Sequence, residues 1–332
     1  MKKSTTFAIT GITLSTLVFG LFSTTHVNAV NTITTTNTSG QALEIGPPVI
    51  NLRADPGTTI KTTISLRDIS PTSLLVTGEI DDFVANGESG IPKIILDDTP
   101  SAYSFKSWVT PLTALTLKPK EIKSLTVAIN VPKTASPGGY FGIVRFTGTP
   151  PDLSGTGVSL AASLGSLILL TVNGQAKENL SVVEFSASHD SKTGTLFEAA
   201  PIVFTERFKN SGNIQEEPAG LVTVKDMFGN VVATLGVNQP TTDILPNSIR
   251  KYESSLDSTN IGNKILFGLY HADLSATYGA NKQIITSSLT FWVIPYTLIA
   301  IIIAALVVAF FVLRMLIRRY NRYILAQAKK RK

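Results

Sequence analysis

Along most of the chain apolar and polar residues alternate with a period of two, interrupted every eight to twelve residues by Pro, Gly, Asn or Asp. Half-buried strands separated by turns have this pattern. It is clearest at 123–131, where Leu125, Val127 and Ile129 share one face and Ser124, Thr126, Ala128 and Asn130 the other, so one side of that strand is expected in a core. Strands are likewise expected at 48–52, 58–66, 74–80, 93–96, 140–146 and 158–172, with Ala54-Asp55-Pro56-Gly57 making the first two a hairpin-like start. A second run begins near Glu178, with strands expected at 180–186, 201–209, 220–225, 231–235, 248–254, 267–276 and 283–292. Few stretches can start a long helix. The pattern predicts a mainly β protein of two tandem immunoglobulin-like β-sandwich domains, 43–175 and 176–290.

The alternation fails at both ends. Lys2 and Lys3 precede an uncharged, mostly apolar run from Phe7 to Phe22, and Val27-Asn28-Ala29 supplies the modest side chains that a signal peptidase reads. Residues 1–29 are therefore expected to be a signal peptide, cut between Ala29 and Val30. Thr and Ser interrupt the apolar run, which weighs against the alternative of an uncleaved anchor. Residues 30–42, rich in Thr, Asn and Ser, bury little and are expected to form a flexible leader.

From Phe291 to Leu313 there are 23 positions without a charge. As a helix they would span roughly 34 Å, enough for the hydrocarbon core of a bilayer. Phe291, Trp292 and Tyr296 are expected to form an aromatic belt on the entering side, Pro295 to sit in the first helical turn, and Arg314, Arg318 and Arg319 to follow on the exit side. The positive-inside rule then puts the tail 314–332 in the cytoplasm and the bulk of the chain outside. No LPxTG-like motif precedes the run, so a permanent anchor in the lipid bilayer is preferred over sortase transfer.

Charge changes meaning once it is located. Lys and Arg outnumber Asp and Glu 29 to 23, but two bases belong to 1–29 and eight to 314–332, leaving 19 against 23 between them. The part that folds is mildly acidic, which argues against nucleic acid as a partner. With no cysteine, disulfides, thiolate nucleophiles and Cys-ligated metals are excluded, and an exported protein must rely on core burial, as many do in bacteria with a single-membrane envelope.

Candidate chemistry is sparse. His189 and His271 stand in different contexts, the first in a polar turn and the second in a strand, and give no metal pair. Asp81-Asp82 and Asp97-Asp98 bracket a loop-rich region and could offer oxygens to calcium, but lack the D-x-D-x-D-G spacing and serve equally as solvated turn residues. No G-x-S-x-G elbow, S-x-x-K frame or phosphate loop occurs, so neither catalysis nor a cofactor is expected. Trp108, Tyr140 and Phe141 could form a stacking platform for a glycan or partner, with core packing as the competing use of the same rings.

The layout resembles the WxL-interacting cell-surface proteins of Gram-positive bacteria. The similar pieces are Leu117-Lys118-Pro119-Lys120-Glu121, Asn130-Val131-Pro132-Lys133 and Pro137-Gly138-Gly139-Tyr140-Phe141-Gly142-Ile143 in the first domain, and Asn210-Ser211-Gly212-Asn213 and Leu245-Pro246-Asn247-Ser248 in the second. The resemblance implies peptidoglycan binding by the first domain and attachment to a host or partner protein by the second; it transfers no binding residue. The expectation is a non-catalytic, membrane-anchored surface protein for adhesion or scaffolding, binding cell-wall polymer or another surface protein. The alternative is an assembly subunit of a membrane complex that acts through its helix and basic tail.

Overall fold

A computed structural model describes residues 43–329 apart from 98, 100, 150–161 and 263. The expected signal peptide, its Ala29 and Val30 cleavage point and the leader lie outside the described residues. The first half holds β1 (Leu43–Gly46), β2 (Val49–Ala54), β3 (Thr59–Asp68), β4 (Leu74–Ala85), β5 (Pro92–Ile95), β6 (Leu115–Leu117), β7 (Ile122–Asn130), β8 (Gly138–Thr149) and β9 (Ala162–Val172), of which β1 and β6 are not among the expected strands. One sheet has the order β1-β3-β7; the other runs β2-β9-β8-β4-β5, with β6 pairing the start of β4. Their shared core holds Ile64, Leu66, Phe105, Leu117, Val144 and Phe146, and it includes the predicted face of β7, with Val127 and Ile129 fully buried and Leu125 packed against them.

The expected hairpin at the start does not form. β2 runs parallel to β9, whereas β3 pairs with β1 and β7 in the other sheet. An Asp-Pro-Gly turn reads the same whether it returns the chain within one sheet or carries it to the other. Here the second outcome is secured by Gly57, whose N–H reaches the Val131 carbonyl at 3.0 Å.

The second half has β10 (Leu180–His189), β11 (Lys192–Thr193), β12 (Leu196–Phe197), β13 (Ile202–Asn210), β14 (Ala219–Asp226), β15 (Val231–Val237), β16 (Ile249–Leu256), the short helix α1 (Ser258–Ile261), β17 (Gly268–Tyr278) and β18 (Gln283–Val293). The sheets are β11-β10-β13-β16 and β12-β18-β17-β14-β15. As in the first half, a short edge strand runs parallel to the last strand: β12 to β18 here, β2 to β9 there. The core is more aromatic, with Phe291 5.5 Å from Tyr270, 5.6 Å from Phe204 and 6.0 Å from Phe197.

That position of Phe291 corrects the expected aromatic belt. β18 stays paired with β17 up to Gly268 opposite Val293, which turns Phe291 into the core with no exposed surface. The uncharged run therefore divides into the end of a strand and a helix, α2 (Tyr296–Lys329). An unbroken apolar run has no period to separate the two; the register with β17 does it. Pro295 precedes the helix and is not in its first turn: its carbonyl accepts the Ile299 N–H at 3.0 Å, the position of an N-cap. Trp292 and Tyr296 remain partly exposed on either side of it. Among the described residues one helix, over Tyr296–Arg322, is long and apolar enough to cross a membrane, and its most apolar stretch is not buried against the rest of the described chain. Arg314, Arg318 and Arg319 extend from that helix, exposed.

Candidate functional site

The two halves are joined by the turns that looked least specific in the sequence. Gly139 donates its N–H to the Asn213 carbonyl at 2.7 Å, and the Asn213 amide donates to the Pro137 carbonyl at 2.9 Å. The same Asn213 accepts the Lys177 N–H at 2.7 Å, so one side chain ties the connector to both halves. Gly138, at φ 149°, allows this approach, because a Cβ there would stand 3.0 Å from Asn213. Asn210, fully buried, holds the loop behind by donating to the Ile214 and Ile244 carbonyls at 2.7 and 2.8 Å.

A second contact lies further along. Phe83, Phe141, Ile143 and Leu169 form a small apolar cluster against which Tyr103 and Leu245 pack, and Asn247 donates to the Tyr103 hydroxyl at 2.8 Å. Glu88 accepts from Arg207 at 2.7 Å while its carbonyl accepts the Lys251 N–H at 3.0 Å. The Arg250 guanidinium lies over Gly90, where a Cβ would come within 2.1 Å.

Between these contacts the halves leave a cleft of about 460 Å³. Val49 and Asn51 of β2, Phe83 of β4, Ile91 and Leu167 line it on one side, and the segment from Thr241 to Leu245 on the other. β2 is the edge of its sheet. The Leu167 N–H donates to the Pro48 carbonyl at 2.9 Å and the Asn173 N–H to the Ala54 carbonyl at 2.9 Å. The even-numbered residues of β2 thus turn their backbone toward β9, and Val49, Asn51 and Arg53 turn theirs to the open side.

The rim is charged. Arg250 donates to the Asp243 carbonyl at 2.6 Å. Burial pushes the Asp243 carboxyl up to about 6, helped by Glu217 and opposed by Arg250. Beside it Glu216 is almost wholly buried, and burial, then Glu178 and Asp243, push it up to about 7. Asp243 therefore withdraws negative charge from the cleft as pH drops from neutral toward 5, and Glu216 does so beside it. Among the described residues no group of His, Asp or Glu has the geometry of a metal site.

The expected platform is not assembled. Trp108 and Tyr140 do meet, ring centres 4.5 Å apart, but both pack against the first core. Phe141 follows Tyr140 on β8 and so points to the opposite face, where it is buried in the apolar cluster against the second half. The acidic pairs are not brought together as loop ligands either. Asp81 and Asp82 lie within β4, and Asp81 is 2.8 Å from Arg145, which also meets Glu79. Asp97 closes a turn by accepting the Thr99 N–H at 3.1 Å; Asp98 lies outside the described residues. His189 ends β10, its Nδ1 2.6 Å from the Pro201 carbonyl, and His271 is exposed on β17.

No family model matches this sequence, and no curated protein was found to match it. Solved structures with a similar strand arrangement include the class 5 fimbriae chaperone CfaA, at 16% identity over 76% of this chain and 100% of that one, TM-score 0.35. The YadV chaperone is similar at 14% identity over 75% and 99%, TM-score 0.36, and the Pseudomonas aeruginosa CupB2 chaperone at 10% over 75% and 100%, TM-score 0.33. Likeness at these TM-scores carries no weight for function.

Proposed function

We propose that this chain is a non-catalytic, single-pass surface protein whose two tandem immunoglobulin-like domains lie outside the cell and bind an extended segment of another surface protein along the open edge of β2. The carrying observation is that edge: alternate backbone N–H and C=O groups of Val49, Asn51 and Arg53 point away from β9 with no strand paired to them among the described residues, and Val49 and Asn51 also line the apolar-walled cleft on the adjoining face of the sheet. An added strand takes its affinity from main-chain hydrogen bonds and its selectivity from alternate side chains in flanking pockets. Val49, Phe83, Leu167 and Leu169 would take apolar side chains, and Asp243 and Glu217 favour a basic residue at the rim. A cell-wall polymer fits less well, since the rings able to stack on sugars, Trp108 and Tyr140, are engaged with the first core. In this reading α2 is the anchor, and Arg314, Arg318 and Arg319 hold its far end on the cytoplasmic side.

The test is Asn51→Pro with a photo-cross-linker at Val49 in intact cells. Proline removes only the donor that a partner strand would use, because the Asn51 N–H faces away from β9. The expected result is a discrete protein adduct at position 49 that disappears in the variant, while an adduct placed at Ile122 is unchanged. An adduct indifferent to Asn51→Pro, or retention on insoluble peptidoglycan that the substitution does not affect, would sink the strand-addition reading.

A further inference from the structure

The end of the second half from which α2 departs bears an apolar surface that the described chain leaves uncovered. Phe228 is 81% exposed, Ile265 79% and Phe267 60%, with Met227, Leu196 and Trp292 partly exposed around them. Strand register puts them at one end: Asp226 lies opposite Tyr270, Gly268 opposite Val293, and Leu196 opposite Trp292. Isolated apolar residues on a surface need no explanation, but several large ones on adjacent loops mark a contact.

The turn does not need the Phe228 ring. Asp226 closes it alone, accepting the N–H groups of Phe228 and Asn230 at 2.9 Å each, and Gly229 supplies the φ of 85°. The ring is therefore available for something outside the fold. What stands next to it is the apolar helix. Only Ile294 and Pro295 separate β18 from α2, and the three residue steps from Val293 to Tyr296 span at most roughly 10 Å. That link is also held, by the Ile294 N–H to the Phe197 carbonyl at 2.9 Å and by the Thr297 hydroxyl to the Glu198 carboxylate.

The geometry points to a second membrane contact: Phe228, Ile265 and Phe267 enter the interfacial layer of the outer leaflet, with exposed Lys264 beside them at the level of the lipid phosphates, and seat the second half on the bilayer next to its anchor. Phenylalanine and isoleucine gain by burying apolar surface at the headgroup–acyl boundary, and lysine favours the same layer because it keeps its ammonium hydrated while its stem lies along apolar surface. The inference rests on reading α2 as a membrane span, and the two are separable.

The chain has no cysteine, so Phe228→Cys, Phe267→Cys, Val307→Cys and Ile122→Cys each give one labelling site in the full chain. These are labelled with an environment-sensitive fluorophore and reconstituted into phosphatidylcholine–phosphatidylglycerol nanodiscs carrying nitroxide lipids, shallow or deep. The expected result is blue-shifted emission quenched by the shallow nitroxide at 228 and 267, quenching by the deep one at 307, and neither at 122. If 228 and 267 behave like 122 while 307 is quenched, the contact is overturned and the anchor stands. If 228 and 267 are quenched but 307 is not, the span is overturned and the contact stands as a peripheral one; if none is quenched, both fall.

Discussion

The two ends of the second half close their loops with the same chemistry and present opposite surfaces. At the end facing the first half, Asn210 satisfies backbone groups of its own loop, Asn213 accepts from Lys177 in the connector, and Asn213 and Asn247 bond residues of the first half. At the other end Asp226 closes a turn and Asp257 caps α1, accepting the Thr259 N–H at 2.9 Å, yet the residues these turns display are Phe228, Ile265 and Phe267. Turn closure by a short polar side chain is local and indifferent to what the neighbouring positions show the outside. What each end meets is therefore decided by those neighbours: a second sandwich at one end and, on the proposal above, lipid at the other.

The strongest way to break this comparison is at the boundary between sandwich and anchor. Phe291→Ala removes a fully buried ring and is expected to cost about 3–5 kcal/mol. Trp292→Ala, on the exposed side of the same strand, is expected to cost under about 1 kcal/mol. Denaturant unfolding of the whole chain in detergent measures both, and equal effects would mean that the strand does not reach Val293.

Between the two ends, Glu206 of β13 is fully buried beside Phe204 and Phe208, and neither carboxyl oxygen has a hydrogen-bond partner. Burial pushes it up to about 8 from 4.5. The folded state thus keeps a proton that the unfolded state releases across that window, so its contribution to stability is greatest below 4.5 and falls as pH rises toward 8. Glu206→Gln is expected to remove most of this dependence and to stabilise the chain at pH 8 by on the order of a few kcal/mol. Thermal melts at pH 5, 6.5 and 8 test it; parallel slopes for both proteins would refute the assignment. Glu216 and Asp243 shift in the same direction and supply the slope that remains.

At the junction, Asn213→Ala removes the bonds to Pro137 and Lys177 and is expected to cost about 1–2 kcal/mol. Its signature is faster protease cleavage in the connector near Lys177 before either half unfolds; an unchanged cleavage rate would show that Asn213 does not hold the halves. The smallest effect belongs to the opposite end. Phe228→Ser is expected to change stability by no more than about 0.5 kcal/mol, since the turn closes without the ring. A loss of several times that in the same melts would place Phe228 in the fold and sharpen the contrast the other way.

Much of this protein was legible from periodicity. The position of β7 and its buried face, the two runs of strands and the long apolar segment near the carboxyl end all follow from which neighbours along the chain are apolar, a property each segment carries by itself. Less legible was anything that depended on pairing between distant segments. The start of the chain resembled a hairpin because its turn is local, whereas the choice of β9 as partner for β2 is not. Phe291 looked like part of a membrane belt because an apolar run hides its own division, which only the register with β17 reveals. The three rings proposed as a platform could be split in advance as far as Tyr140 and Phe141, which alternate across a strand, but not as far as knowing that both faces of β8 are covered.

The sequence by itself therefore determined where most of the longer strands lie, though not the short strands β1, β6, β11 and β12, as well as which segment is the membrane helix candidate and that no cysteine chemistry is present. Only the tertiary structure decided that turns of low specificity join the two halves, that β2 keeps an open edge beside a cleft, and that the apolar loops gather around the start of α2. The reason is physical: secondary structure and hydropathy are read from residues a few positions apart, while an edge, a cleft or a surface patch exists only between segments brought together by burial and hydrogen bonding across scores of residues.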